Sequence, residues 1–305
     1  MTQAPITPPT EPSHRRNLIV PAMFTTANLF AGFFSIVASL KGYQTVQENW
    51  VEAARWFDNA ARAIGWAVLF DMLDGRIARM TKGTSEFGIE LDSLADLVSF
   101  GVAPAVLAFA WGYGSAPPMY DGRFVELAWA VSFVYLMCAA FRLARFNVQA
   151  RRPVPDPKKD RKQFVGMPSP AAAGLIAAIV HFVRTPILAS DHQAEFAWFG
   201  HAVTMDRSLA SLGLLVLVLL LGLLMISTVR YTSFKTLGFG RLSPRSTFLL
   251  LSLLVSAIYF YSQWVLLVLA SVYAASGPVS RLATRIFKSH RSEESLHSAA
   301  TKQPL

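Results

Sequence analysis

From Leu209 to Met225 the chain passes seventeen residues without a charge, and all but Ala210, Ser211 and Met225 are Leu, Val or Gly. A bilayer core about 30 Å thick is crossed by about 20 apolar residues in a helix. Inside it, only helices and closed barrels satisfy every backbone hydrogen-bonding group. Comparable runs recur along the chain, so spanning helices are expected at roughly 18–40, 60–82, 89–111, 127–147, 167–184, 209–228, 246–261 and 263–280. The fold class expected is all-α, a polytopic membrane bundle of about eight transmembrane helices. The last two segments are close enough to form one re-entrant pair instead. Pro117, Pro118, Pro153, Pro155, Gly238 and Gly240 mark several of the joins. Residues 1–17 and 289–305 read as disordered tails, leaving 18–288 as a single membrane domain.

A mean hydropathy of +0.39 agrees with this reading. The net charge of +9 would suggest nucleic acid in a soluble protein, but here the cations lie in loops and tails, so no nucleic-acid partner is expected and lipid is. One set of polar segments comprises the N-terminal tail, 76–90, 150–163, 229–245 and 281–305, with 20 Lys/Arg and 7 Asp/Glu. The alternating set, 41–58, 112–126 and 185–208, holds 4 Lys/Arg and 8 Asp/Glu. The basic set is expected on the cytoplasmic side of the cell (inner) membrane, which puts both termini inside and fits an even number of crossings. The N-terminus lacks the pattern of a cleaved secretory signal. A lone Cys138 excludes a disulfide within the chain and a cysteine metal site.

Fifteen of the 19 acidic residues fall in these loops and tails; the other four are Asp71, Asp74, Asp92 and Asp96. Carboxylates inside a bilayer line a cavity or find a partner, because leaving them bare costs a few kcal/mol or more. Asp71 and Asp74 are spaced i, i+3 and Asp92 and Asp96 i, i+4, so each pair shares one helix face. Lys82 to Ser85 reads as the turn between two antiparallel helices, with the carboxylates converging about two turns below it. Gly75, Ala78 and Gly88 keep those faces small, and Arg79 reaches the same region. An all-oxygen site suits a hard cation, Mg²⁺ or Mn²⁺. Two such ions bridged by carboxylates are an apparatus for displacement at phosphorus. Spacing alone leaves two other readings open: an ion or proton path in a transporter, and a structural cluster satisfied by buried arginines.

The stretch Asp71-x2-Asp74-Gly75-x2-Ala78-Arg79-x8-Gly88-x3-Asp92-x3-Asp96 resembles the complete signature of the CDP-alcohol phosphotransferases. The resemblance implies a membrane enzyme that displaces CMP from a CDP-alcohol with an acceptor hydroxyl. It implies that Asp71, Asp74, Asp92 and Asp96 bind divalent metal, two ions of Mg²⁺ or Mn²⁺. Asp96 is then also the catalytic base, with Gly75, Ala78, Gly88 and Arg79 around the nucleotide of CDP-diacylglycerol. The run Glu90 to Ala105 is similar to that of bacterial and archaeal CDP-diacylglycerol–serine O-phosphatidyltransferases. So are Phe141-Arg142-Leu143-Ala144-Arg145-Phe146-Asn147, Gly166-Met167-Pro168-Ser169-Pro170 and Arg230-Tyr231-x-Ser233-Phe234-Lys235. Pro21-x3-Thr25-Thr26-Ala27-Asn28 resembles the opening segment of that group, and Thr26 and Asn28 are expected to approach the nucleotide. The implied acceptor is L-serine, with glycerol 3-phosphate, inositol phosphate or choline as the acceptors of sister enzymes. The resemblance also implies a homodimer.

Serine presents a carboxylate, and a guanidinium matches a carboxylate in two-point geometry, so Arg142 and Arg145 are the candidates to hold it. The alternative for both is snorkelling to lipid phosphates or contact with the nucleotide. Arg230 and Lys235 are equally explained by positive-inside anchoring. His181 is expected to be a satisfied polar group, the Leu-rich span to face lipid, and Trp50, Trp56 and Trp66 to lie near an interface.

Overall fold

The computed structural model describes residues 16–81, 86–113, 123–150, 163–183, 185–187, 194–198, 201–205, 207–232 and 244–300. Among these residues eight α-helices carry the fold: α1 (Arg16–Thr45), α2 (Trp50–Thr81), α3 (Glu86–Asp96), α4 (Ala103–Gly112), α5 (Arg123–Ala150), α6 (Ser169–Phe182), α7 (Arg207–Ile226) and α8 (Pro244–Ala300). A π-turn, Leu97–Val102, joins α3 to α4 without a break. Four short strands complete the set: β1 (Gln163–Val165), β2 (Ala194–Trp198), β3 (His201–Met205) and β4 (Arg230–Thr232). They form two antiparallel ribbons, β1 with β4 and β2 with β3. The bundle is all-α in architecture, as expected, and the ribbons are connections.

All eight segments expected to span fall on helices, but among the described residues five helices are long and apolar enough to cross a bilayer unaided. The shortfall has three causes. In α2, Glu52, Arg55, Asp58, Arg62, Asp71, Asp74, Arg76 and Arg79 dilute the apolar character. The apolar helix α6 has only 14 residues. The last two expected segments lie in one 57-residue run, α8, broken only at Tyr261 (φ −132, ψ 40). That helix continues to Ala300, through part of the stretch expected to be a tail; its Ser, Glu, Leu, His and Ala residues include no Gly or Pro to stop it.

Local chemistry explains the helix ends and contacts. Asn49 caps α2, its side-chain oxygen accepting the Glu52 N–H at 3.1 Å. Along α1, Thr25, Asn28, Gly32, Ser35 and Ser39 make one stripe at 3–4 residue spacing, all buried, and it faces α2 and the π-turn. Small residues allow such close approach where lipid supplies no hydrophobic drive. The Leu-rich α7 is only half lipid-facing. Leu209, Leu212, Val216, Leu220 and Leu223 are exposed, but Leu214, Leu215, Val218, Leu221 and Met225 are buried. Gly222 admits α5, since a Cβ there would lie 3.3 Å from the Tyr135 backbone.

The turn at Gly166 closes one end of the bundle. Gly166 has φ +83, and a Cβ on it would sit 2.3 Å from the Met225 carbonyl oxygen. The Met167 N–H donates to the Leu224 carbonyl at 3.0 Å, satisfying one of the carbonyls left over at the end of α7. Tyr231 in β4 is fully buried, and its hydroxyl donates to the Ala274 carbonyl at 3.2 Å. At the other end His181 is buried, as expected, between Asp58 at Nδ1 and Ser262 Oγ, 2.9 Å from Nε2. Its partner Asp58 was expected in a loop; α2 starts about ten residues earlier than the apolar pattern suggests, and Asp58 also pairs with Arg62 at 2.8 Å. These contacts place the second half of α8 antiparallel to α6.

Candidate active site

Among the described residues the two aspartate-bearing helices make few backbone contacts with each other, and α1 packs against both. Across the gap, Asp71 of α2 meets Asp92 and Asp96 of α3, with one carboxylate oxygen from each lying within 4.8 Å of the others. All three side chains are half-buried. Asp74 is outside this triple. It is buried, 6% exposed, and accepts a hydrogen bond from the Thr25 hydroxyl of α1. The i, i+3 and i, i+4 spacings thus bring three of the four carboxylates together as expected, and the fourth turns toward α1.

Among the described residues no arginine or lysine forms an ion pair with any of the four aspartates. Like charges held this close are relieved by a cation between them or by a shared proton. The buried Oδ1 of Asp92 has no hydrogen-bond partner among the described residues. An oxygen-only donor set with a desolvated, unmatched carboxylate oxygen fits Mg²⁺ or Mn²⁺.

The neighbours divide. Gly75 is exposed and Gly88 half-buried on the aspartate helices. The side chains of Ala78 and Arg79 lie outside the described residues, as do those of Arg230 and Lys235. Thr26 is exposed, and its hydroxyl is spent on the Ala22 carbonyl of its own helix at 2.7 Å. Thr25, which sequence reading passed over, is the threonine that reaches the site. Asn28 is there too, fully buried, but its Nδ2 donates to Asp96 Oδ1 at 3.0 Å. Ser99, also missed, donates to the Asn28 carbonyl at 2.9 Å. The one available signal was the polar stripe on α1, in which Thr25 and Asn28 share a face and Thr26 does not.

Of the two candidate arginines, Arg142 is half-buried and its Nη1 makes a long, 3.5 Å hydrogen bond to the Val165 carbonyl of β1, while Arg145 is exposed. Neither touches the aspartates directly. Their helix nonetheless reaches the site, since Asn147 Nδ2 donates to Ser93 Oγ at 2.8 Å, one residue from Asp92. A surface cavity of about 490 Å³ at the far end of α2, lined by Asn49, Val51, Glu52, Arg55, Trp56 and Asn59, contains none of the expected site residues.

Comparison with known proteins identifies the family. Residues 18–206 match the family model described as CDP-alcohol phosphatidyltransferase, a span that contains every aspartate of the site. A Helicobacter pylori protein named CDP-diacylglycerol–serine O-phosphatidyltransferase is 34% identical over 218 residues, 71% of this chain and 73% of the relative. A Saccharomyces cerevisiae protein of the same name is 38% identical over 177 residues, 58% of each chain. One from Methanocaldococcus jannaschii is 31% identical over 176 residues, 58% of this chain and 65% of the relative. With its full aspartate signature inside the matched span and three of those carboxylates gathered between α2 and α3, the chain belongs to the CDP-alcohol phosphatidyltransferase family.

Proposed function

We propose that this protein transfers the phosphatidyl group of CDP-diacylglycerol to the hydroxyl of L-serine and releases CMP. The observation that carries the chemistry is the convergence of Asp71, Asp92 and Asp96 on one point between α2 and α3. The shared name of relatives from a bacterium, a yeast and an archaeon supports serine as the acceptor.

In this reading Asp71, Asp74, Asp92 and Asp96 hold divalent metal, two ions of Mg²⁺ or Mn²⁺. When bound, the metal supplies positive charge to the pyrophosphate and to the departing CMP. The chain's own residues do the rest. Gly75, Ala78 and Gly88 leave room for the nucleotide, and Arg79 meets the pyrophosphate. Asp96 takes the serine hydroxyl proton, the oxygen forms a bond to the lipid-linked phosphorus, and the bond from that phosphorus to CMP breaks with its electron pair going to CMP. Arg142 and Arg145 receive the serine carboxylate. The tie from Asn147 to Ser93, which draws the end of α5 to the aspartate helix, supports that role.

The basic polar segments set the orientation we propose: site and both termini on the cytoplasmic side of the cell membrane, with residues 1–17 and 289–305 as tails of one membrane domain and the working unit a homodimer. The test is CMP release by purified protein from CDP-diacylglycerol with Mn²⁺ or Mg²⁺, run with serine, glycerol 3-phosphate, inositol phosphate and choline in turn. Serine alone is expected to support turnover. Turnover with another of the four overturns the acceptor. Cation transport in proteoliposomes without any CMP release overturns the enzyme reading.

A further inference from the structure

We infer that Asn28 is a positioning residue for Asp96, an inference that rests on Asp96 being the base of the reaction proposed above. Asn28 was expected to meet the nucleotide, yet its side chain is 0% exposed and is aimed at a carboxylate. Its Nδ2 donates to Asp96 Oδ1 at 3.0 Å, which engages one carboxylate oxygen and leaves the other to meet the acceptor hydroxyl. An amide is suited to this, because it orients the carboxylate without cancelling its charge.

The structure around Asn28 leaves it little freedom. Its backbone carbonyl accepts the Ser99 hydroxyl at 2.9 Å. Gly32, one turn later on α1, makes that approach possible, since a Cβ there would lie 2.4 Å from Ser99 Oγ. From the opposite side the Tyr135 hydroxyl donates to the Phe100 carbonyl at 3.2 Å. The π-turn that follows Asp96 directly is therefore clamped between α1 and α5, and π-turns inside helices recur at functional sites. The Oδ1 of Asn28 is buried with no partner among the described residues. An unmatched buried acceptor is unfavourable, and an apolar side chain of similar size would avoid it. What Asn28 offers in return is the N–H on Asp96.

The test replaces Asn28 by Leu, which keeps the volume and removes the amide. Orientation of a reacting group is worth about a hundredfold for a displacement of 1 Å. N28L is expected to lose about a hundredfold in kcat, while KM for CDP-diacylglycerol and the affinity for Mn²⁺, followed by electron paramagnetic resonance without substrate, each stay within about threefold. A raised KM with kcat retained makes Asn28 a nucleotide contact and overturns the inference. Mn²⁺ affinity falling in step with kcat makes it part of the metal scaffold and overturns it too, as does unchanged kinetics. Ser99→Ala is the second variant, for use even where N28L proves too unstable to purify. It loosens the clamp with the amide in place, and about a tenfold loss of kcat at unchanged KM is expected by the same positioning argument; wild-type kcat contradicts it. Wild-type turnover with a different acceptor sinks the serine assignment but leaves the Asn28 comparison readable with that acceptor. Wild-type protein that releases no CMP overturns both.

Discussion

Asn147 of α5 donates a hydrogen bond to Ser93 of α3 at 2.8 Å, across 54 residues of sequence. The Ser93 hydroxyl donates to the Ile89 carbonyl at 3.0 Å, so Asn147 holds an acceptor whose orientation is already set. This bond carries the end of the arginine-bearing helix to the aspartate helix. Replacing Asn147 by Leu is expected to raise the serine KM severalfold while leaving the CDP-diacylglycerol KM unchanged, as steady-state kinetics with each substrate varied will show. An equal rise in both would mean that α5 supports the nucleotide and not the acceptor.

Thr25 and Thr26 make a matched pair of tests. The Thr25 hydroxyl donates to the buried Asp74, whereas the Thr26 hydroxyl is satisfied by Ala22 within its own helix. A hydrogen bond to a charged group contributes about 1.5–3 kcal/mol. Thr25→Val is therefore expected to lower activity about tenfold or more, and Thr26→Val is expected to leave it within about twofold. The measurement is CMP release at saturating substrates for the two variants side by side. The reverse ranking would restore the sequence expectation for Thr26.

That pair shows which parts of the site a single sequence can reveal. Asp71, Asp74, Asp92 and Asp96 were readable because regular helix spacing places them on shared faces within 26 residues. The side chains that orient them were not. Thr25 is 49 residues from Asp74, Asn28 is 68 from Asp96, and Ser99 is 71 from the Asn28 carbonyl it binds. Helix periodicity says nothing about which residues meet across such separations. His181 was read correctly as satisfied, but Asp58, 123 residues away, was hidden because the charged opening turns of α2, with Glu52, Arg55 and Asp58, look like loop. The strands β1 and β4 are three residues each, too short to carry an alternating pattern, and they pair across 64 intervening positions. The apolar pattern located all eight helical segments but not how many stand as separate crossings, because charge in α2 and the single break at Tyr261 in α8 blur that count.

Gly166 lies in the left-handed region at φ +83, with the Met225 carbonyl 2.3 Å from where a Cβ would be. Alanine there meets both backbone strain and a clash with rigid main chain. Gly166→Ala is expected to destabilise the protein by more than about 1 kcal/mol, read as a lowered thermal midpoint in detergent. An unchanged midpoint would mean that the turn into α6 relaxes freely.

The polar clasp at the far end of the bundle is expected to affect stability without affecting chemistry. Asp58 lies thirteen residues before Asp71, about 20 Å along a helix rising 1.5 Å per residue. His181→Leu leaves Ser262 without its partner and Asp58 with Arg62 alone. The expected cost is about 1–3 kcal/mol of stability, with kcat of the folded protein at 25 °C within about twofold of wild type. A large kcat loss at full stability would show that the clasp communicates with the aspartates.

The most direct measurement is serine-dependent CMP release by Asp96→Asn, made alongside a CDP-diacylglycerol binding titration with Mn²⁺ present. The amide keeps the shape of Asp96 and its place opposite Asn28 but cannot take the acceptor proton. Turnover is expected to fall by about a thousandfold, within the usual range for loss of a general base, while binding of CDP-diacylglycerol remains measurable. Near-normal turnover in that variant would contradict the assignment of Asp96 as the base and, with it, the mechanism proposed for this cluster.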